Sequence, residues 1–88
     1  GVDVEVMRSA QEKFMRRVCS QQEMACIRPG DDGDCRRFWE IWTAKEALFK
    51  LTGKGPLLKL SRFALPERVA LDYMEKNGCA LTVAAEIL

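Results

Sequence analysis

The feature that most constrains this fold is a long helical segment in the middle of the chain, from Cys35 to Thr52. Apolar side chains recur there at spacings of three and four, as on one face of an amphipathic helix. Asp34 precedes the segment as a candidate N-cap, and Gly53 follows it as a C-terminal glycine. This segment is the longest element predicted in the 88-residue chain.

Segments on both sides of this helix alternate between apolar and polar residues. Residues 1–6 alternate valine with acidic residues, which predicts a strand that is apolar on one face. The turn signal at residues 76–78, Lys-Asn-Gly, predicts a hairpin. Three further strands are predicted at 57–63, 69–73 and 79–87, the last apolar enough to lie in the centre of the sheet.

Short helical segments are predicted between the first strand and the long helix. Residues 9–19 carry apolar side chains at helical spacing. Ser20 then begins a capping box with Glu23, and the short second helix that follows ends near Arg28. The chain is therefore predicted to be an α+β domain, with a small antiparallel sheet packed against a long helix in the order β-α-α-β-β-β. We expect one domain over residues 1–88, and the absence of an initial methionine suggests a piece of a longer chain.

Composition excludes several classes of function. The chain has no histidine, which rules out a Cys/His zinc site and a Ser–His or Cys–His catalytic pair within it. A net charge of +1 gives no strong attraction to nucleic acid, and no apolar run is long enough to predict a membrane span. Two arrangements remain for the cysteines: two disulfides in a secreted domain, or, as we favour, reduced and mostly buried thiols in a cytosolic protein. The cysteines are Cys19, Cys26, Cys35 and Cys79.

The first candidate site is the acidic face of the first strand. Asp3 and Glu5 are two residues apart, so both side chains point to the same face of a strand, about 7 Å apart. Two such carboxylates suit a hard cation such as Mg²⁺, which binds oxygen ligands and completes its shell with water and phosphates. The alternative is an ordinary strand face exposed to solvent.

The second candidate site is a stripe on the long helix. Trp42, Glu46 and Lys50 are spaced by four residues and therefore stack along one side of a helix. Lys45 and Lys50 can neutralise Glu46, or can bind phosphates while Glu46 binds a metal ion. The alternative is a common Glu–Lys surface pair beside tryptophans of the core.

These motifs, taken in order, resemble the signature of the 4'-phosphopantetheinyl transferase superfamily. The matching segments are G-V-D-V-E at residues 1–5, W-T-A-K-E-A-L-F-K at 42–50 and G-K-G at 53–55. The tryptophan in the second motif is similar to that of the surfactin-synthetase-activating type. The resemblance implies a cytoplasmic enzyme that transfers the phosphopantetheine arm of coenzyme A to a serine of an acyl or peptidyl carrier protein, releasing 3',5'-ADP.

The resemblance also implies ligands for the cofactor and co-substrate. It makes Mg²⁺ the metal ion, bound by Asp3, Glu5 and Glu46 directly or through water. The phosphates of coenzyme A would be held by basic residues of the helix and the following turn. These are Lys45, Lys50 and Lys54.

The implied catalytic residues are Glu46, Glu23 and Lys50. Glu23 lies where many surfactin-type members have an acidic residue, which makes it a candidate general base. Its position in the capping box explains it equally well. The choice between Glu23 and Glu46 as the base stays open at this point.

The length of the chain qualifies the resemblance. Surfactin-type enzymes contain two related halves with the active site between them, and this chain resembles the second, metal-binding half. We therefore expect a homo-oligomer, or a first half that lies elsewhere, because an unpaired half would expose an apolar face. The alternatives are a non-catalytic half-domain that binds a carrier protein or a partner subunit, and a small structural domain.

Overall fold

The computed structural model describes residues 1–27, 32–53 and 68–87 of the 88-residue chain. Its described elements are a strand, three helices and a pair of strands. In chain order they are β1 (Val2–Val6), α1 (Glu12–Val18), α2 (Gln21–Ala25), α3 (Asp32–Thr52), β2 (Val69–Lys76) and β3 (Cys79–Glu86).

The predicted fold class is confirmed, because a small antiparallel sheet packs against one long helix. All three helical segments that the sequence indicates are present before the last strands, so the described order contains one more helix than β-α-α-β-β-β. The strand predicted at 57–63 and Lys54 lie outside the described residues. The strand predicted at 69–73 is present and continues to Lys76.

The sheet has the strand order β1-β3-β2, with both pairings antiparallel. This confirms the central position of β3. Asn77 and Gly78 connect β2 to β3 with positive φ angles of 53° and 74°, which are the angles that a two-residue type I′ hairpin requires. The predicted turn is therefore confirmed.

Helix α3 begins earlier than predicted. It starts at Asp32, which places Asp34 inside the helix, so the assignment of Asp34 as N-cap is wrong. The predicted end is correct. The helix stops at Thr52, and Gly53 adopts a φ of 64° while its N–H donates to the Phe49 carbonyl at 2.7 Å.

Helix α3 is covered on two sides, which makes it the centre of the fold. One buried cluster joins it to the α1–α2 region and to β3, and includes Met15, Val18, Ile27, Phe38, Trp39, Ile41 and Ala80. A second cluster joins its C-terminal half to the sheet through Ala47, Leu48 and Ala84. Burial of a side chain such as Phe38 stabilises the fold by about 1.5–3 kcal/mol.

The α1–α2 corner is held by the predicted capping box. The Ser20 hydroxyl accepts a hydrogen bond from the Glu23 backbone N–H at 3.1 Å, and Glu23 Oε1 accepts one from the Ser20 backbone N–H at 2.7 Å. Both helices are shorter than predicted: α1 spans Glu12–Val18 and α2 ends at Ala25.

The described cysteines fit the reduced alternative. Cys19, Cys26 and Cys79 are free thiols, and the side chain of Cys35 lies outside the described part. Cys26 is exposed, so the expectation of burial is wrong for that residue. Within residues 1–27, 32–53 and 68–87, no helix has the length and apolar character needed to cross a bilayer.

Candidate active site

The N-terminal end of β1 lies directly against α3. The Gly1 nitrogen donates to the Ala84 carbonyl at 2.8 Å and the Ala84 N–H donates to the Gly1 carbonyl at 2.7 Å, which extends the ladder. A Cβ atom at Gly1 would lie 2.8 Å from the backbone nitrogen of Leu51 and would also clash with the Ala47 carbonyl. Glycine therefore permits the close approach that turns Asp3 toward the helix.

Asp3 and Lys50 form the central contact of the site. Lys50 Nζ donates to Asp3 Oδ1 at 3.0 Å and to the Val2 carbonyl at 3.1 Å. Asp3 is only 5% exposed, and burial raises the pKa of its carboxyl group although Lys50 opposes this shift. The hydrogen bond to Asp3 in turn raises the pKa of Lys50, whose side chain is 49% exposed.

The second oxygen of Asp3 is unsatisfied. Asp3 Oδ2 is buried and finds no hydrogen-bond partner among the described residues. A buried carboxylate oxygen without a partner is costly, and such groups are rare in native proteins. This atom therefore marks a position where a further ligand would be favourable.

Glu46 and Glu5 complete an acidic group around Asp3. Glu46 is half-buried, and its pKa is raised first by that burial and then by the negative charges of Asp3 and Glu5. Trp42 Nε1 donates to Glu5 Oε1 at 3.3 Å, which holds this carboxylate against the helix. The predicted helix stripe and the predicted strand face thus meet each other.

The three carboxylates do not form a ready-made cage. Among the described residues, no three Cys, His, Asp or Glu side chains converge closely enough to enclose a metal ion by themselves. A cation bound here would need water or substrate oxygens in addition to the protein ligands. The donor set, which is oxygen only, suits a hard cation.

Glu23 and Lys45 are placed together, away from solvent. Lys45 Nζ donates to Glu23 Oε1 at 2.7 Å and also to the Val18 carbonyl. The Glu23 side chain is 0% exposed and the Lys45 side chain is 1% exposed. Contact of either with a substrate would require this pair to open. Their predicted roles, as general base and as phosphate ligand, stay predictions.

Two polar contacts next to the site were not predicted. Thr43 and Thr82 share a buried hydrogen bond between their hydroxyl oxygens, at 2.7 Å. Thr82 lies opposite Asp3 across the β1–β3 ladder. This bond therefore connects α3 to β3 next to the acidic group. The isolated threonine in each of two apolar segments is the signal that would have indicated it.

The comparison with protein families agrees with the motifs on this site. The model of the 4'-phosphopantetheinyl transferase superfamily matches residues 1–82. The chain therefore belongs to this superfamily, whose members transfer phosphopantetheine from coenzyme A to carrier proteins. Neither the comparison with curated proteins nor that with solved structures gave a match.

Proposed function

We propose that this chain is the metal-binding half of a surfactin-type 4'-phosphopantetheinyl transferase of the cytoplasm. It would transfer the phosphopantetheine arm of coenzyme A to a serine of an acyl or peptidyl carrier protein and release 3',5'-ADP. The observation that carries this proposal is the buried, unsatisfied Oδ2 of Asp3, beside the half-exposed ammonium group of Lys50. An ion pair with a purely structural role would not be expected to leave a buried carboxylate oxygen unsatisfied.

Mg²⁺ fits the residues at this site. Asp3 offers an unpaired oxygen, and the negative charges of Glu5 and Glu46 raise the pKa of Asp3 and the pKa of Lys50, respectively. Mg²⁺ usually binds one or two protein carboxylates and takes its other ligands from water and phosphates, so a preformed cage is not required. When bound, the ion would supply electrostatic stabilisation of charge on the phosphate oxygens.

The reaction needs a cation for the phosphates and a base for the serine. Lys50 is exposed enough to turn from Asp3 toward the pyrophosphate of coenzyme A, where it would stabilise charge on the departing oxygen. The serine oxygen attacks the β-phosphorus, the bond to 3',5'-ADP breaks, and a carboxylate accepts the serine proton. We assign this last role to Glu46, whose raised pKa suits a general base.

This proposal does not depend on Glu23, Lys45 or Lys54. Glu23 and Lys45 are buried against each other. Lys54 lies outside the described residues, and its role at the phosphates stays a prediction from the resemblance. The proposed site therefore consists of Asp3, Glu5, Glu46 and Lys50.

The outer face of the sheet supports an expected partner. Four large apolar residues on this face are 48–62% exposed: Val2, Val4 and Val6 of β1 and Met74 of β2. We propose that this face is covered by a second copy of the chain or by a first half of the same enzyme. Analytical ultracentrifugation of the chain and of Val4→Glu tests self-association: the variant should sediment as the smaller species, and identical behaviour at monomer mass would exclude the second copy.

A transfer assay tests the function directly. The chain is incubated with coenzyme A, Mg²⁺ and several apo carrier proteins, and the added arm is detected by mass spectrometry. We expect transfer by the parent chain, loss of transfer in Glu46→Ala, and normal transfer in the exposed control Glu12→Ala. Absence of transfer to every carrier would refute catalysis by this chain alone and favour the alternative, a non-catalytic half-domain that binds a carrier protein or partner.

A binding experiment tests the metal site separately. Isothermal titration of the chain with Mg²⁺ in the presence of coenzyme A should give weaker binding for Asp3→Ala than for the parent. Unchanged binding in Asp3→Ala would refute the metal assignment even if transfer is observed.

A further inference from the structure

The buried pair formed by Glu23 and Lys45 has no place in the chemistry proposed above. Both side chains are at most 1% exposed, and the ammonium and carboxylate groups are 2.7 Å apart. Burial of two charges costs much of what their attraction returns, so such a pair needs additional hydrogen bonds to persist. Those bonds are present: Lys45 also donates to the Val18 carbonyl, and Glu23 Oε1 also accepts from the Ser20 N–H.

This pair joins three helices at one point. Val18 is the last residue of α1, Glu23 lies in the first turn of α2, and Lys45 belongs to α3. The carbonyl of Val18 is at a helix C-terminus, where the negative end of the helix dipole favours an ammonium group. The position of α3 relative to the α1–α2 corner is therefore fixed at Lys45.

Lys45 also precedes Glu46 in the sequence. Successive residues of an α-helix project about 100° apart, so the direction of one side chain fixes that of the next. Because Lys45 is held toward α1 and α2, Glu46 is turned toward Asp3 and Glu5 on β1. The effect of both negative charges on the pKa of Glu46 agrees with that orientation.

We propose that Glu23 and Lys45 form a positioning pair, which touches no substrate and holds α3 at the rotation that turns Glu46 toward Asp3. The proposal depends on the proposed function only for what Glu46 does there, as a negative charge beside the metal ion and as the general base. It assigns Glu23 a role other than general base and Lys45 a role other than phosphate ligand.

A double-mutant cycle on the 88-residue chain tests the pair. The variants are Lys45→Met, Glu23→Gln and the combination of both, in which no unpaired charge is buried. The matched control is the same cycle on the exposed pair Glu12–Arg16, with Glu12→Gln and Arg16→Met, because those side chains are 51% and 64% exposed. Each variant is measured by its thermal midpoint, by titration with Mn²⁺, and by the backbone amide NMR shifts of Asp3 and Lys50 at low temperature.

Each single variant should lower the thermal midpoint by about 12 °C or more, because it removes one member of a buried ion pair. The double variant should recover at least half of that loss. In the folded single variants, Mn²⁺ affinity should fall by roughly tenfold, as for other residues that orient metal ligands, and the double variant should restore it to within about threefold. The exposed cycle should change neither quantity.

Two results would overturn the proposal. One is a double variant whose thermal midpoint is no higher than that of the less stable single variant, since the two residues would then not act as a pair. The other is unchanged Mn²⁺ affinity and unchanged Asp3 and Lys50 amide shifts in the single variants, which would leave a purely structural role. Loss of transfer in Glu23→Gln that the double variant fails to recover, with normal Mn²⁺ affinity, would instead establish Glu23 as the base and also overturn it.

Failure of the proposed function gives a different pattern. A parent chain that transfers nothing, or binds no Mn²⁺, contradicts the proposed activity or metal site. The thermal midpoints and the amide shifts do not involve metal or substrate, so they still decide the positioning role.

Discussion

Two carboxylate–lysine pairs of this molecule are chemically alike and differ in their surroundings. The open pair is Asp3–Lys50, with 3.0 Å between its charged groups, and the sealed pair is Glu23–Lys45, with 2.7 Å. Both lysines belong to α3. The Lys50 side chain is 49% exposed and that of Lys45 is 1% exposed.

The difference between the pairs lies in what each leaves unsatisfied. Asp3 keeps a buried oxygen without a partner among the described residues, and Lys50 keeps contact with solvent. In the sealed pair, the lysine also donates to a helix C-terminus and the glutamate also accepts a capping bond. The open pair can thus exchange its partner for a ligand, whereas the sealed pair stabilises the scaffold that holds it.

The largest expected effect comes from removing the lysine of the open pair. Lys50→Met should lower kcat/KM for transfer by roughly 10²–10³-fold, as expected for loss of one group that stabilises developing charge. Its thermal midpoint should fall less than those of the sealed-pair variants, because the Lys50 side chain is half-exposed and water can replace part of its contact with Asp3. Steady-state kinetics and thermal melts of Lys50→Met and of the exposed control Lys13→Met measure both quantities.

A large loss of stability in Lys50→Met would remove the distinction between the open and the sealed pair. Retention of full transfer activity would show that Lys50 only neutralises Asp3.

The second effect concerns the accessibility of the sealed pair. Burial, and then the charge of Glu23, raise the pKa of the neighbouring Cys19 thiol from 9.0 to about 11. At pH 8 this leaves roughly 100-fold less thiolate at Cys19 than an unshifted thiol would have, so the half-buried Cys19 should react with iodoacetamide more slowly than the exposed Cys26. Mass spectrometry of peptides after timed alkylation measures the two rates, and equal rates would show that solvent reaches the sealed pair.

The parts of this molecule that follow local rules were predictable from sequence. The capping box at Ser20, the glycine after Thr52 and the Asn77–Gly78 hairpin each depend on residues within a few positions of one another. The meeting of the Glu46 stripe with the Asp3 face was predictable because the family motifs occur in order, and the match over residues 1–82 supports that reasoning. The start of α3 was missed because Asp31, Asp32 and Asp34 offer several N-caps in a row.

The sealed pair shows why the rest was not predictable. Lys45 stands next to Glu46 in the sequence, and a charged side chain in that place is normally solvated. Its partners are Val18 and Glu23, which only the tertiary fold brings to it. Likewise, the unsatisfied oxygen of Asp3 depends on how tightly β1 approaches α3, and no spacing of residue types records that distance.

The third effect comes from moving β1 away from α3, which should disturb the open pair and leave the sealed pair in place. Gly1→Ala introduces a Cβ that overlaps the backbone at Ala47 and Leu51, so β1 must move away from α3. Overpacking of this kind costs about 1–3 kcal/mol of stability. Mn²⁺ affinity should fall as well, because Asp3 moves with the strand, while the alkylation rate of Cys19 should stay unchanged.

Chemical denaturation, Mn²⁺ titration and alkylation of Gly1→Ala make this comparison. Gly78→Ala serves as a control, since its added Cβ meets no atom within 4 Å and its backbone strain falls at the opposite end of β1 from Gly1, where the Gly78 carbonyl accepts from the Met7 N–H. Equal losses of Mn²⁺ affinity in the two variants would show that global stability, not the position of β1, determines binding.

The smallest expected effect is a gain in stability when the charge of the open pair is removed. Asp3→Asn eliminates a buried, incompletely satisfied carboxylate and gives up an ion pair with a half-exposed lysine. The first change should outweigh the second, so in buffer without Mg²⁺ the free energy of unfolding should rise by about 1 kcal/mol. Transfer activity should be lost at the same time. A gain in stability with a loss of activity is expected for a binding site and not for a structural pair.

The pH dependence of this gain tests its cause. Burial raises the pKa of Asp3 in the folded chain above its ordinary value of 3.8, so the folded state takes up the proton at a higher pH than the unfolded state does. The penalty for the buried charge is therefore complete above the raised pKa and disappears as the pH falls below 3.8. The stability difference between Asp3→Asn and the parent, measured by urea denaturation, should be largest at neutral pH and should shrink steadily on acidification. A difference that is constant with pH, or an asparagine variant that is less stable at pH 7, would mean that Lys50 fully compensates Asp3 and that the open pair resembles the sealed one.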